Sequence, residues 1–370
     1  ETMENLYSGK RSPKPPRRIT YQLDKNYPVF EVSGLKEQAN DLSYYFAETA
    51  IREAFLQADL TDTLLQERRV GVLLGSTAGC FFNKEDYYRQ YRDKPGAGSA
   101  YVAQELLNGS IAHQISKKMG LTGPALTLSN ACASGTDAIG LAAAMIAKGE
   151  CDIALAGGCD EIVRMVYLGF ISLMNTSDAP CQPFAKSRNG LNLGEGAGIC
   201  ILESEASARQ RGAKPLGFIA GYAIVSDSYH ITAPEPTGRG LRAAFDKALK
   251  QAQIEPKDVA FVNTHGTGTI ENDRVEGRVI ADIFGKEILV TATKAYTGHA
   301  LGAAGGLEAA ISTQCLINQK IPGVPDYSDF DPKCVIQPKG GNVAISGNYA
   351  CSASLAFGGV NSVVVIGRQL

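Results

Sequence analysis

Residues 124–149, PALTLSNACASGTDAIGLAAAMIAKG, leave the chain little freedom. An aliphatic run of strand type ends at Leu128, Ser129 to Gly135 are nearly all small, and an alanine-rich helical stretch follows at once. The sequence therefore predicts strand, tight turn and helix, with no bulky side chain at the turn. The same rhythm recurs along the chain. A helical pattern carried by Ala47, Ala50, Ile51, Ala54 and Phe55 begins near Asp41. RVGVLLGST (69–77) reads as a buried strand, Glu105 to Met119 as a helix, and CDIALAGGCDEI (151–162) as a buried strand ending in glycines. Buried strands alternating with helices predict an α/β architecture.

Beyond residue 215 the rhythm starts again. Strands are expected over 216–227 and 258–263, and an amphipathic helix from Gly240 to Gln253. A strand–loop–helix unit is expected over 287–319, and a turn with a final strand over 352–368. The units around Cys132 and His299 look like counterparts. They predict two duplicated halves, residues 1–215 and 216–370, although no clean internal repeat is visible.

Small residues flanking Cys132 let a substrate approach its sulfur, and free N–H groups at the start of the following helix can donate to an anion. The positive end of that helix favours a thiolate. These features suit a nucleophile. They suit a buried cysteine at a tight strand–helix crossing equally well, and the local sequence does not choose. Of the four histidines, His113 and His230 sit in undistinguished helical and loop settings. His265, in NTHGTGT, and His299, in KAYTGHALGAAGG, lie where a predicted strand gives way to a small-residue loop, the position at which α/β proteins build sites. Lys294 precedes His299 by five residues and Glu308 follows it by nine. A lysine and a carboxylate can fix an imidazole's tautomer and charge. Two neutral imidazoles donating to one oxygen would stabilise an enolate or oxyanion.

Several function classes are disfavoured. A formal net charge of −2 gives no general field for nucleic acid or a membrane, and no apolar run approaches the length of a membrane span. The polar start, Glu1 to Arg18, lacks the apolar core of a signal peptide. The nine cysteines form no C-x-x-C pair and no cluster with histidine at zinc-ligand spacing. Most are expected to be buried thiols in a reducing compartment, with the cytoplasm as the expected location and no metal. The basic, proline-rich KRSPKPPRR (10–18) reads as a solvated arm or surface loop. LGEGAG (193–198) and GHALGAAGG (298–306) lack the lysine placement of a phosphate loop, so nucleotide binding is not expected.

Four motifs, in order, resemble those of the elongating 3-oxoacyl-[acyl-carrier-protein] synthases of the thiolase-like superfamily. They are SNACASGTDAIG around Cys132, NTHGTGTIENDRVEG around His265, KAYTGHALGAAGGLEAA around His299 and LAFGGVN near the end. The resemblance implies a layered α-β-α-β-α fold with two mixed five-stranded sheets. It implies that Cys132 takes an acyl group from a carrier thioester. His265 and His299 would bind the malonyl thioester carbonyl while its carboxylate leaves as CO2. The N–H groups of Cys132 and Phe357 would hold the oxyanion. Lys294, paired with Glu308, would support the histidines, and Thr267 and Thr269 would touch the phosphopantetheine arm. Phe357 would gate the nucleophile, and Phe170 would serve as pocket wall or gate. No cofactor is implied. The implied partners are an acyl carrier protein, docked at a basic patch, and a second subunit, identical or related.

Two departures from the family pattern stand out. Family members open with a strand of the type R-V-V-I-T-G-x-G, whose counterpart is not seen here, so an inner strand is expected to be missing and a sheet edge open. Leu355 stands where an aromatic is common. Two other functions fit parts of the pattern. A thiolase working on coenzyme A esters would need a Gly-His-Pro near its end and a second cysteine in a C-x-G-G-G setting, which Cys351 lacks. A non-catalytic partner subunit that shapes a chain-length pocket would lack the nucleophile, which is present.

Overall fold

The computed structural model describes residues 2–19, 21–35, 41–79, 82–97 and 110–369. Its strands are β1 (Val70–Gly75), β2 (Ala125–Leu128), β3 (Ile153–Asp160), β4 (Gly196–Glu203), β5 (Gly217–Ser226), β6 (Val259–Asn263), β7 (Leu289–Thr291), β8 (Lys320–Ile321), β9 (Val343–Ala344), β10 (Tyr349–Ala356) and β11 (Val360–Arg368). One sheet has the order β2-β1-β3-β4 and the other β5-β11-β10-β6-β7, while β8 and β9 form a small ribbon. β1 runs parallel to β2 and β3, and β4 is antiparallel to β3. In the second sheet β6 runs parallel to β7 and β10, and β11 is antiparallel to β10 and β5. The series β2-β1-β3-β4 thus recurs as β7-β6-β10-β11 with the same directions. The first sheet has four strands among the described residues, not the five expected, because β4 carries no outer neighbour where β11 carries β5.

Side-chain alternation sets the layers. Val70, Val72 and Leu74 of β1, with Ile153 and Leu155 of β3, face a cluster containing Ala47 and Ile51 of the Leu42–Gln57 helix and Ile111 and Ile115 of the Ile111–Met119 helix. Leu73, Ala154 and Ala156 point the other way, into the main core with Ala138 and Ile139. Buried on both faces, β1 and β3 carry the near-continuous apolar runs that parallel strands require. Two small-residue helices, Ser134–Ala147 and Ala304–Asn318, lie between the sheets and contact both. They meet at glycine: a Cβ on Gly135 would lie 2.6 Å from the Gly302 carbonyl oxygen, and one on Gly305 would lie 2.2 Å from Thr136 Oγ1. The Arg239–Ala252 helix packs on β5 and β11. The order is helix, sheet, helices, sheet, helix, as the resemblance implied.

Some details differ from expectation. The helix expected from Glu105 is described over Ile111–Met119; residues 105–109, like Cys80, lie outside the described residues. β4 and β10 have no counterpart among the expected strands. Residues 10–18 form a surface loop rather than a solvated arm: Lys14 pairs with Val29 through the backbone, Pro16 is buried, and Arg18 forms an ion pair with Glu195. Arg11 donates to the Cys181 carbonyl and pairs with Asp326. No helix among the described residues is long and apolar enough to cross a membrane. The eight described cysteines are all free thiols.

Candidate active site

The turn after β2 bends at Ala131, whose φ of 46° places a non-glycine residue in the left-handed region. Thr77 Oγ1 and Ser134 Oγ both donate to the Ala131 carbonyl, at 3.0 and 2.6 Å, and hold this strained residue in place. Cys132 follows, 4% exposed. Its Sγ lies 3.0 Å from His299 Nε2, and the N–H groups of Phe357 and of Cys132 itself face the sulfur. The thiol is buried, and it lies against an imidazole and two amide donors.

Burial pushes the Cys132 thiol up to about 11, against the opposing pull of the Lys294 charge and the two N–H groups. Desolvation outweighs the helix terminus, and His299 Nε2 is the nitrogen beside the sulfur. Alkylation of Cys132 by iodoacetamide should therefore rise about tenfold per pH unit from roughly pH 7 to 10. A rate that levels off below neutral pH would show a thiolate already present.

His265 follows β6, and His299 follows the short Lys294–Thr297 helix. Their rings stand 5.2 Å apart at 87°. Burial and the nearby Lys294 charge hold both imidazoles well below the usual histidine range, so both are neutral near pH 7. Lys294 Nζ lies 3.2 Å from His265 Nδ1 and forms a buried ion pair with Glu308. An ammonium only donates, so His265 Nδ1 accepts and its proton sits on Nε2. The lysine five residues from His299 in sequence thus fixes the tautomer of the other histidine. His299 Nδ1 is buried without a partner, and no hydrogen bond there commits the ring to one tautomer. Its Nε2 can accept from the thiol and, once the sulfur is acylated, donate.

Buried carboxylates position the loops. Glu276 accepts the N–H groups of His265 and Gly266 at 2.6 and 2.9 Å. Asp160 accepts from Ser76 Oγ and from the N–H groups of Thr77, Ala78 and Gly302, tying the turn behind Cys132 to the loop after His299. Neither carboxylate is singled out by the sequence reading; the only signal for Glu276 is its place inside NTHGTGTIENDRVEG.

A cavity of about 280 Å³ reaches Cys132, His265 and His299, and Thr267, Thr269 and Leu355 line it. The two threonine hydroxyls are 2.9 Å apart. Exposed Met174 and Ile270 stand at its rim. Phe170 and Phe357 stack beside the sulfur with ring centroids 5.3 Å apart, and Phe170 meets the His299 ring edge-on. Of the sequence-predicted site residues, Cys132, Phe170, His265, Thr267, Thr269, His299 and Phe357 line this cavity, while Lys294 and Glu308 lie behind His265. His113 and His230 are exposed and do not line the cavity. Among the described residues no group of three or more His, Cys, Asp or Glu could hold a metal ion.

Residues 22–208 match the family described as "Beta-ketoacyl synthase, N-terminal domain", and residues 216–328 match "Beta-ketoacyl synthase, C-terminal domain". The chain is 36% identical over 355 residues to a 3-oxoacyl-[acyl-carrier-protein] synthase 2 of Staphylococcus aureus, covering 92% of this chain and 88% of that one. Among solved structures it is similar to a chain of the ishigamide ketosynthase/chain length factor, with TM-score 0.92, 28% identity, and coverage of 99% of this chain and 94% of that one. It is similar also to a chain of AntDE:AntF, a type II PKS acyl-carrier protein in complex with its ketosynthase bound to the hexaketide, with TM-score 0.91, 28% identity, and coverage of 99% and 94%.

Proposed function

We infer the function from one premise: the chain belongs to the beta-ketoacyl synthase family. It condenses an acyl group held on Cys132 with a malonyl unit carried by an acyl carrier protein, releasing CO2 and giving a 3-oxoacyl-carrier product. The observation that carries this reading is the approach of Cys132 Sγ to His299 Nε2, 3.0 Å, with His265 in the same buried chamber.

In loading, the Cys132 proton passes to His299 Nε2 and the sulfur attacks the acyl thioester carbon. The N–H groups of Cys132 and Phe357 take the oxyanion. The carrier thiolate leaves and recovers the proton. In condensation the malonyl carbonyl oxygen accepts from Nε2–H of His265 and of His299. The bond to the free carboxylate breaks, CO2 departs, and the electron pair forms an enolate that these two donors stabilise. The enolate carbon attacks the acyl carbon, the bond to the Cys132 sulfur breaks, and the sulfur leaves as a thiolate that takes up a proton from water to restore the resting thiol. Lys294, paired with Glu308, keeps the His265 proton on Nε2. Thr267 and Thr269 line the path of the phosphopantetheine arm, while Phe357 and Phe170 move aside for the acyl chain.

Residues 1–215 carry the nucleophile on this reading, and residues 216–370 the histidines. An acyl carrier protein is the substrate-bearing partner, supported by the carrier–ketosynthase complex above. A second subunit, identical or related, is supported by the ketosynthase/chain length factor structure. Free thiols throughout the described residues suit a cytoplasmic location. Retention of the nucleophile and both histidines disfavours a non-catalytic partner subunit.

His265→Ala separates the two half-reactions. Acylation of Cys132 should stay within about threefold, while condensation falls by at least about 100-fold, because one of two enolate donors is gone. Equal losses in both steps would remove His265 from the malonyl site.

A further inference from the structure

The two N–H groups that face the Cys132 sulfur come from segments far apart in sequence. Cys132 lies just ahead of the Ser134–Ala147 helix, and Phe357 sits in the turn between β10 and β11. Two side-chain ties join that helix to that hairpin. Ser354 of β10 and Ser362 of β11 stand directly opposite each other in the hairpin register. They meet consecutive residues of the helix. The hydroxyl oxygens of Ser354 and Thr136 lie 2.8 Å apart, and Ser362 donates its hydroxyl to Asp137 Oδ1. All four residues are buried. Asp137 is held from two further sides. Tyr222 of β5 donates to Oδ1 at 2.8 Å, and Asn130, in the turn before Cys132, donates to Oδ2 at 2.6 Å. Gly140 leaves room for Tyr222, because a Cβ there would lie 2.2 Å from its ring.

Resting on the condensation reading, we propose that Thr136–Ser354 and Asp137–Ser362 are two positioning pairs, which seat the β10–β11 turn on the nucleophile helix so that the N–H groups of Cys132 and Phe357 converge on one oxyanion. A single tie would leave the hairpin free to pivot about it; two, side by side, fix its tip. None of the four residues lines the cavity that reaches the sulfur, so each acts through the two N–H groups rather than on substrate. Oxyanion stabilisation depends on donors aimed in advance at the developing charge, so a small shift of the Phe357 turn weakens it. That charge develops when a nucleophile adds to the acyl carbon. It does not develop when malonyl loses CO2, because that electron pair goes to the enolate held by His265 and His299. Nor does it develop when iodoacetamide alkylates Cys132, because the sulfur then displaces iodide from a saturated carbon. These two reactions therefore report an intact site independently of the oxyanion donors.

The double variant Ser354→Ala with Ser362→Ala tests this. It cuts both ties and leaves Asp137 bonded to Tyr222 and Asn130. The freed Thr136 hydroxyl can turn to a carbonyl of its own helix. Loading by hexanoyl-pantetheine, followed by intact mass at saturating thioester, should fall at least about tenfold, with the half-saturating concentration within about twofold. Iodoacetamide alkylation of Cys132 and CO2 release from malonyl-carrier should each stay within about twofold. Thr136→Val cuts one tie from the helix side and should slow loading about fivefold, again without slowing alkylation. Loading, alkylation and CO2 release that fall together would make the four residues structural supports and overturn the proposal. Loading that is unchanged in the folded double variant would overturn it too. Should the double variant not fold, Thr136→Val decides, and unchanged loading there overturns the proposal. Unaltered protein that is alkylated at Cys132 but never loads an acyl group would overturn the condensation reading instead.

Discussion

Cys132→Ala should leave no acyl-enzyme and lower condensation by at least about 1000-fold. On the proposed reading the sulfur carries the acyl chain: it sits between His299 Nε2 and the two N–H donors that face it. The change removes one small buried atom, so thermal stability should shift little. His265 and His299 remain, with Lys294 still bonded to His265. Slow release of CO2 from malonyl-carrier should therefore persist. Intact mass and CO2 release measure both halves of this expectation. An acyl adduct surviving on the folded variant would remove Cys132 from the mechanism.

Lys294→Met should be costly twice over. Lys294 and Glu308 are buried against each other, and one Glu308 oxygen has no partner. Burial already raises the Glu308 carboxyl above its ordinary range, with Lys294 opposing that rise. Removing the lysine strands the carboxylate and should destabilise the fold by about 3–5 kcal/mol. It also frees His265 Nδ1, so the proton is no longer confined to Nε2, and condensation should fall by at least about 100-fold. Pairing Lys294→Met with Glu308→Leu separates the effects, because an apolar pair of similar volume fits a buried site well. Denaturant unfolding of the double variant should return most of the lost stability while condensation stays low. Recovery of both would reduce Lys294 to a structural role.

The sequence exposes parts of this structure unevenly. β1 and β3 are visible as continuous apolar runs because both faces are buried. β4 and β10 are not, because the inner helices press so closely on them that small residues replace the usual strand formers. A Cβ on Gly198 of β4 would come within 2.2 Å of the Leu307 backbone, and Ser354 of β10 lies 2.8 Å from Thr136 through their hydroxyl oxygens. The four motifs name Cys132, His265, His299 and Phe357 because their small neighbours leave a local trace. The link from Lys294 to His265 spans 29 positions and reverses the pairing that proximity to His299 suggests. The protonation of Cys132 is hidden for a related reason. The helix end that favours a thiolate is local, whereas the burial that outweighs it is assembled from both halves of the chain.

The most direct test supplies the protein with hexanoyl-carrier and with malonyl-carrier labelled by carbon-13 in its free carboxyl group. Acyl-enzyme, product and gas are followed by mass. Hexanoyl should appear on Cys132, and each 3-oxooctanoyl-carrier formed should accompany one labelled CO2, with no label left in the product. Product that retains the label, or that forms without any acyl group passing through Cys132, would contradict decarboxylative condensation on this thiol.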